Sequence, residues 1–156
     1  MYFMDSDDWA EPTMLEDMYK LAKRDNAQLV VAGFFIDTYY DKEHYVTDDY
    51  VVEDAVYPDK ESFRRKRIKL FDKKSTLYNL GISSFESRYI MENNLRFPET
   101  FWDSRFRGSM VSIVRNVERV TVTHKQYYHF LRARSESETA AYRPVCMKSG
   151  KKSMAG

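Results

Sequence analysis

Three carboxylates stand together near the start of the chain, in the run Asp5-Ser6-Asp7-Asp8, and residues of this kind favour a tight turn. Carboxylate oxygens are hard donors that suit Mg²⁺ or Mn²⁺. Placed one residue apart at the end of a buried strand, they supply one or two ligands and leave positions for phosphate and water. The same run serves equally as a solvated turn or a helix cap. Asp103 stands ahead of a segment of helical periodicity, where capping is the alternative to chemistry, because that position meets exposed amides and the helix dipole. Positive charge gathers in two places: Arg64-Arg65-Lys66-Arg67-Ile68-Lys69, and the aromatic-basic run Tyr127-Tyr128-His129-Phe130-Leu131-Arg132-Ala133-Arg134. Arginine offers a planar fork of donors matched to phosphate oxygens. His129, between two aromatics, also fits a packed strand histidine.

The elements that must position these groups follow from periodicity. The apolar Tyr2-Phe3-Met4 predicts a buried strand running into the acidic turn. After Pro12, the residues Leu15, Met18, Tyr19 and Ala22 recur at helical spacing, with Glu16 and Asp17 early and Lys20, Lys23 and Arg24 late, which predicts an amphipathic helix. Residues 29–36 are unbroken apolar, as in a strand covered on both faces, so strand, helix and strand imply a parallel sheet unit. Residues 37–59 read as an irregular excursion with a short strand near 50–52, residues 64–69 as a surface helix, and the residues after them to about 80 as a polar loop. A strand is expected over residues 84–90 and a short helix over 91–94. Phe106, Met110, Ile113, Val114 and Val117 share a helical face, and Val120 and Val122 alternate with Arg119, Thr121 and Thr123 as in a half-buried strand.

With 156 residues the chain has the length of one domain, and its 25 basic and 24 acidic residues nearly cancel. Near-neutral charge and the lack of an RNA-binding motif argue against a nucleic-acid partner. The single Cys146 excludes an internal disulfide framework and fits a reducing compartment, and the apolar start is too short for a signal peptide or a membrane span. The expected location is the cytoplasm.

Several segments, taken in order, resemble family 2 glycosyltransferases of the bacterial cell-envelope kind. They are Tyr2-Phe3-Met4-Asp5-Ser6-Asp7-Asp8-Trp9 with Glu11-Pro12 and Leu15-Glu16, residues 27–33, residues 85–98, Asp103 at a helix opening, and Tyr128-His129-Phe130 with Arg132, Arg134 and Ser137. The resemblance covers about residues 2–140. It implies an α/β fold of GT-A type, here the later part of a mixed sheet with flanking helices and an acceptor-side extension. That portion is expected over residues 1–142, with a disordered basic tail at 143–156.

The implied activity is transfer of a sugar from a nucleotide-diphosphate sugar to an acceptor hydroxyl, with inversion and with Mn²⁺ or Mg²⁺. By the same resemblance Asp7 is the first choice as metal ligand and Asp5 the second, Asp8 orders the turn or contacts the donor sugar, and Asp103 is the catalytic base. His129, Arg132 and Arg134 would face the diphosphate or an anionic acceptor. The acceptor would be a carbohydrate or a lipid-linked one, with residues 64–69 against the inner membrane surface. The family's first half, which grips the nucleoside, has no counterpart here, so a truncated chain of little or no activity, prone to self-association, is expected. Trp102 stands where the family has the Glu of a Glu-Asp pair, and Gly81-Ile82-Ser83-Ser84-Phe85 where it has Trp-Asn-Lys-Leu-Tyr. The rival expectation is a non-catalytic remnant or an interaction module that pairs with a separate nucleotide-binding chain.

Overall fold

The computed structural model describes residues 1–40, 44–70, 82–95 and 115–133. In chain order these form β1 (Trp9–Ala10), α1 (Met14–Asp25), β2 (Leu29–Tyr39), β3 (Tyr45–Tyr50), β4 (Ala55–Tyr57), α2 (Lys60–Leu70), β5 (Ser83–Phe85), α3 (Ser87–Glu92) and β6 (Val120–Ala133). The fold is α/β, a mixed six-stranded sheet with flanking helices.

Two long strands form its centre. β2 and β6 run parallel from Leu29 opposite Val120 to Tyr39 opposite Ala133. On its other side β2 pairs antiparallel with β5 and then with β3, while β6 pairs antiparallel with β4 and β1. Burial of β2 on both faces agrees with its unbroken apolar run. β6 departs from the expected half-buried strand: Thr121 and Thr123 are buried along with Val120 and Val122. Over residues 120–123 the strand is covered on both faces, and the Thr121 hydroxyl donates to Asp25 at 2.9 Å.

The expected helix forms as α1, with Glu16 and Asp17 in its first turn, Lys23 and Arg24 in its last, and Asn26 ending it in the left-handed conformation at φ 50°. Its buried stripe is the expected one only in part, since Met18 is buried and Ala22 packs against the core. Met14 is buried as well, whereas Leu15 is 58% and Tyr19 64% exposed, because the helix meets the sheet through one narrow face. Lys125 and the Tyr127 hydroxyl both reach Asp17, at 2.9 and 2.8 Å, and tie α1 to β6.

Three further expectations are corrected. The first residues form no regular strand. Tyr2 makes one antiparallel bridge to Ser84, and Met1 exchanges backbone hydrogen bonds with Phe85, so this segment runs in the direction of β2 with β5 between them. Within the stretch expected to be irregular, residues 37–39, 45–50 and 55–57 are strand: β2 continues to Tyr39, and β3 pairs back along it, with Phe34 opposite Tyr50 and Tyr39 opposite Tyr45. The hairpin extends beyond the core, β3 is almost wholly exposed, and no apolar alternation marks it. The strand expected over residues 84–90 ends at Phe85; α3 then buries Tyr89 and Ile90 from a helix. The loop after α2 and the greater part of the helix expected from Phe106 lie outside the described residues, as does the tail at 143–156.

The larger core gathers Leu29, Val31, Phe34, Ile36, Phe63 and Tyr128 among others, and the smaller one sets Met14 and Met18 against Val30, Ala32 and Tyr127. Along β2 the larger core takes odd residues up to Val31 and even ones from Phe34, so the strand turns over between them. Register shifts at Gly33 mark that point. A Cβ there would lie 2.7 Å from both the Gln126 side chain and the Tyr50 carbonyl oxygen, so only glycine fits. The shift sends Phe35 and Asp37 to the side of the sheet that carries His129.

Candidate functional site

The acidic turn closes through the Asp8 amide, which donates to the Asp5 carbonyl at 3.3 Å. Asp8 is buried. Its Oδ2 accepts from the Tyr128 hydroxyl and its Oδ1 from the Leu131 amide at 2.9 Å, while the Asp5 amide reaches the Tyr128 hydroxyl at 3.4 Å. The turn is thus fastened to β6 near the carboxyl end of the parallel pair, where open α/β sheets place their ligands. Burial raises the Asp8 carboxyl above the ordinary carboxylate value, the Tyr128 and Leu131 hydrogen bonds oppose that rise, and Asp7 and Asp5 add to it. Asp5 is raised by burial and then by Asp7. Asp7 itself is exposed. The turn therefore holds repelling carboxylates that a cation would relieve.

Beside it lies a second polar group. The His129 ring, 8% exposed, stacks on Trp9 with centroids 3.5 Å apart and on Phe35 at 4.4 Å. Its Nδ1 lies 2.9 Å from Asp37 Oδ2, and Asp37 Oδ1 accepts from the Thr47 hydroxyl at 2.6 Å. Nε2 sits 3.4 Å from Glu11 Oε1, within ion-pair range, yet it makes no hydrogen bond among the described residues. Sequence reasoning missed Asp37, Thr47 and Glu11 as site residues. The legible signal was Asp37 itself, a charge directly following an apolar run that had to be buried.

The remaining expected site residues divide. Arg132 is exposed on β6 opposite Thr38, in the other alternation from His129. Asp103 and Arg134 lie outside the described residues. Arg64, Arg65 and Lys66 are exposed on α2, which forms as the expected surface helix. Among the described residues no group of three or more His, Cys, Asp or Glu side chains is arranged to hold a metal ion. Asp5 and Asp7 share the turn, and two carboxylates would leave the rest of a Mg²⁺ or Mn²⁺ shell to phosphate and water. A groove of about 460 Å³ lies elsewhere, between α1 and β5, lined by Tyr2, Leu15, Tyr19 and Phe85 among others. No helix of the described residues is long and apolar enough to cross a membrane.

The family model described as glycosyl transferase family 2 matches residues 1–95. The chain belongs to that family. Among solved structures, this family 2 chain is similar to S. aureus TarS 1-349 in complex with UDP-GlcNAc, with a TM-score of 0.63, 19% identity, and coverage of 91% of this chain and 37% of that one. The S. aureus TarS 1-349 complex with UDP gives 0.59 at 18% identity, over 83% of this chain and 35% of that one. S. aureus TarS gives 0.58 at 18% identity, over 83% and 21%. Likeness at this identity concerns the fold, and supports the expected partial GT-A architecture. The chain spans about a third of the length of the first two structures. A comparison with curated proteins finds no match.

Proposed function

We propose that this family 2 chain carries the cation- and diphosphate-binding side of an inverting, metal-dependent sugar transfer from a nucleotide-diphosphate sugar to an acceptor hydroxyl. The observation that carries the reading is the acidic turn, closed on itself and locked by Asp8 to β6 near the carboxyl end of the parallel strands. The UDP-GlcNAc held by S. aureus TarS supports a nucleotide sugar as donor.

Asp7 and then Asp5 would hold Mn²⁺ or Mg²⁺. When bound, the ion neutralises charge that develops on the departing diphosphate. Asp8 keeps the turn in place. The buried His129 edge and the exposed Arg132, with Arg134, supply donors toward the diphosphate or an anionic acceptor. Asp103 takes the proton of the incoming hydroxyl. The acceptor is a carbohydrate or a lipid-linked one in cell-envelope polysaccharide synthesis. Residues 64–69 meet an anionic membrane leaflet from the cytoplasmic side, which flotation with anionic vesicles tests.

Titration calorimetry with Mn²⁺ and UDP is expected to show metal-dependent nucleotide binding that Asp7→Ala abolishes. Nucleotide binding without metal, or equal binding by the variant, would sink the reading. Turnover by the chain alone is expected to be weak, since it spans about a third of the matched structures; robust transfer would refute this.

A second reading is a non-catalytic module that pairs with a separate nucleotide-binding chain. The exposed Leu15 and Tyr19 beside the groove at α1 favour it. A folded chain that stays monomeric and binds neither ligand nor partner would count against both readings.

A further inference from the structure

An ionised carboxylate away from water is costly unless it is paired and hydrogen-bonded, and Asp37, 3% exposed, is both. Thr47 donates to one oxygen at 2.6 Å, and the other lies 2.9 Å from His129 Nδ1. A carboxylate only accepts, so the proton of that bond sits on Nδ1. The ring cannot swing away, because Trp9 and Phe35 stack on it. Its remaining nitrogen, Nε2, is buried, faces Glu11 Oε1 at 3.4 Å and has no hydrogen-bond partner among the described residues. A bare lone pair there would confront another acceptor, whereas an N–H would confront its complement. Glu11 is less buried than the ring: its side chain is 42% exposed and free to give way.

We propose that Asp37 is a positioning residue for this site. Backed by Thr47, it fixes the His129 ring and accepts from Nδ1–H, and with a carboxylate facing each nitrogen the ring carries a proton on both, so that a cationic ring presents Nε2–H to an oxygen of the donor's diphosphate, which takes the place of the Glu11 carboxylate. The inference rests on the donor reading above and adds Asp37, Thr47 and Glu11 to the residues that build it. The geometry is the familiar arrangement in which the hydrogen bond at one ring nitrogen sets what the other nitrogen can do. Asp37→Asn separates positioning from packing. With its amide oxygen accepting from Thr47, its NH₂ faces Nδ1 as a donor, so Nδ1 must accept: the ring keeps a single proton, on Nε2, and loses the positive charge that it brings to the diphosphate.

The test is long-range ¹H–¹⁵N NMR of the 156-residue chain with ¹⁵N-labelled histidine, using inorganic pyrophosphate with Mg²⁺ as probe; His129→Gln assigns the signals among the three histidines. In the parent, both His129 nitrogens are expected to be protonated, and pyrophosphate is expected to move Nε2 more than Nδ1. Asp37→Asn is expected to lose the Nδ1 proton and to weaken pyrophosphate at least tenfold, with the amide spectrum reporting that the chain still folds. Thr47→Val is expected to give a smaller loss and Thr47→Ser to restore it, a pair that decides the matter if Asp37→Asn unfolds. Pyrophosphate binding that leaves Nε2 unmoved, or unchanged affinity in folded variants, overturns the role of Asp37 and leaves the donor reading standing. A parent chain that binds no pyrophosphate overturns both.

Discussion

Asp8 shows how a single residue decides whether the acidic turn is a site or a loose loop. Both of its oxygens are taken, by Tyr128 and Leu131, so its carboxylate holds the turn, and the proposed cation site falls to Asp5 and Asp7. A hydroxyl that donates to a buried carboxylate contributes about 1.5–3 kcal/mol. Tyr128→Phe should therefore lower stability by about that amount, read as a shift in denaturant midpoint at constant slope. A shift below about 0.5 kcal/mol would mean that the turn is held some other way. The turn and its carboxylates were legible from residue type alone. Their attachment was not, because Tyr128 lies 120 residues away and no local pattern links the two.

Among the elements, β2 does most to build the site, and its behaviour hinges on Gly33. Any side chain there meets the Tyr50 carbonyl, which as backbone cannot move aside. Gly33→Ala should cost about 1–3 kcal/mol through overpacking. It should also disturb His129 through Phe35 and Asp37, visible as changed histidine ring signals. Unchanged stability would show that β2 and β3 can separate locally at little cost.

The same strand marks the limit of sequence reading. Residues 29–36 announce a buried strand by composition, and α1 announces itself by spacing and charge order. The continuation through Asp37 to Tyr39 carries no apolar period because its buried residues are polar, and the return along β3 carries none because it is exposed. Asp37 and Thr47 face each other across that hairpin, so the polar residues that back His129 Nδ1 fell in a stretch without an apolar pattern.

Over the whole molecule, electrostatic ties between distant segments set the response to acid. Asp17 is held below the ordinary value of 3.8 by hydrogen bonds from Lys125 and Tyr127. Asp25 is lowered by its hydrogen bond from the adjacent Arg24 and, across the chain, by that from Thr121, and Asp54 by the amide and ring of His124. A carboxyl depressed in the folded state stabilises the fold above its unfolded pKa, and that contribution is lost as pH falls through the folded value. Asp5 and Asp8, raised by burial, act in the opposite sense: their contribution is present below the ordinary value and lost as pH rises through the raised one. Melting temperature should therefore fall as pH drops below 3.8, and Asp17→Asn should flatten that fall by removing one of the three depressed groups. An identical acid profile in the variant would show that the α1 to β6 tie does not contribute.

The parallel pairing of β2 with β6 also sets the order in which the protein can come into being. Asp37 meets His129 across 92 residues of chain, and Asp8 meets Tyr128 across 120. A ribosome adding about 5–20 residues per second would expose the acidic turn, α1 and the β2–β3 hairpin several seconds before β6 exists. Until then β2 has a bare apolar edge, and the turn has nothing to fasten to. Pairings between strands so far apart in sequence close late and slowly, because the loop entropy comes first. Closure of β6 therefore completes the core and the attachment of the acidic turn in one event, and on the proposed donor reading a nascent chain stalled before residue 120 should lack the nucleotide binding expected of the full chain.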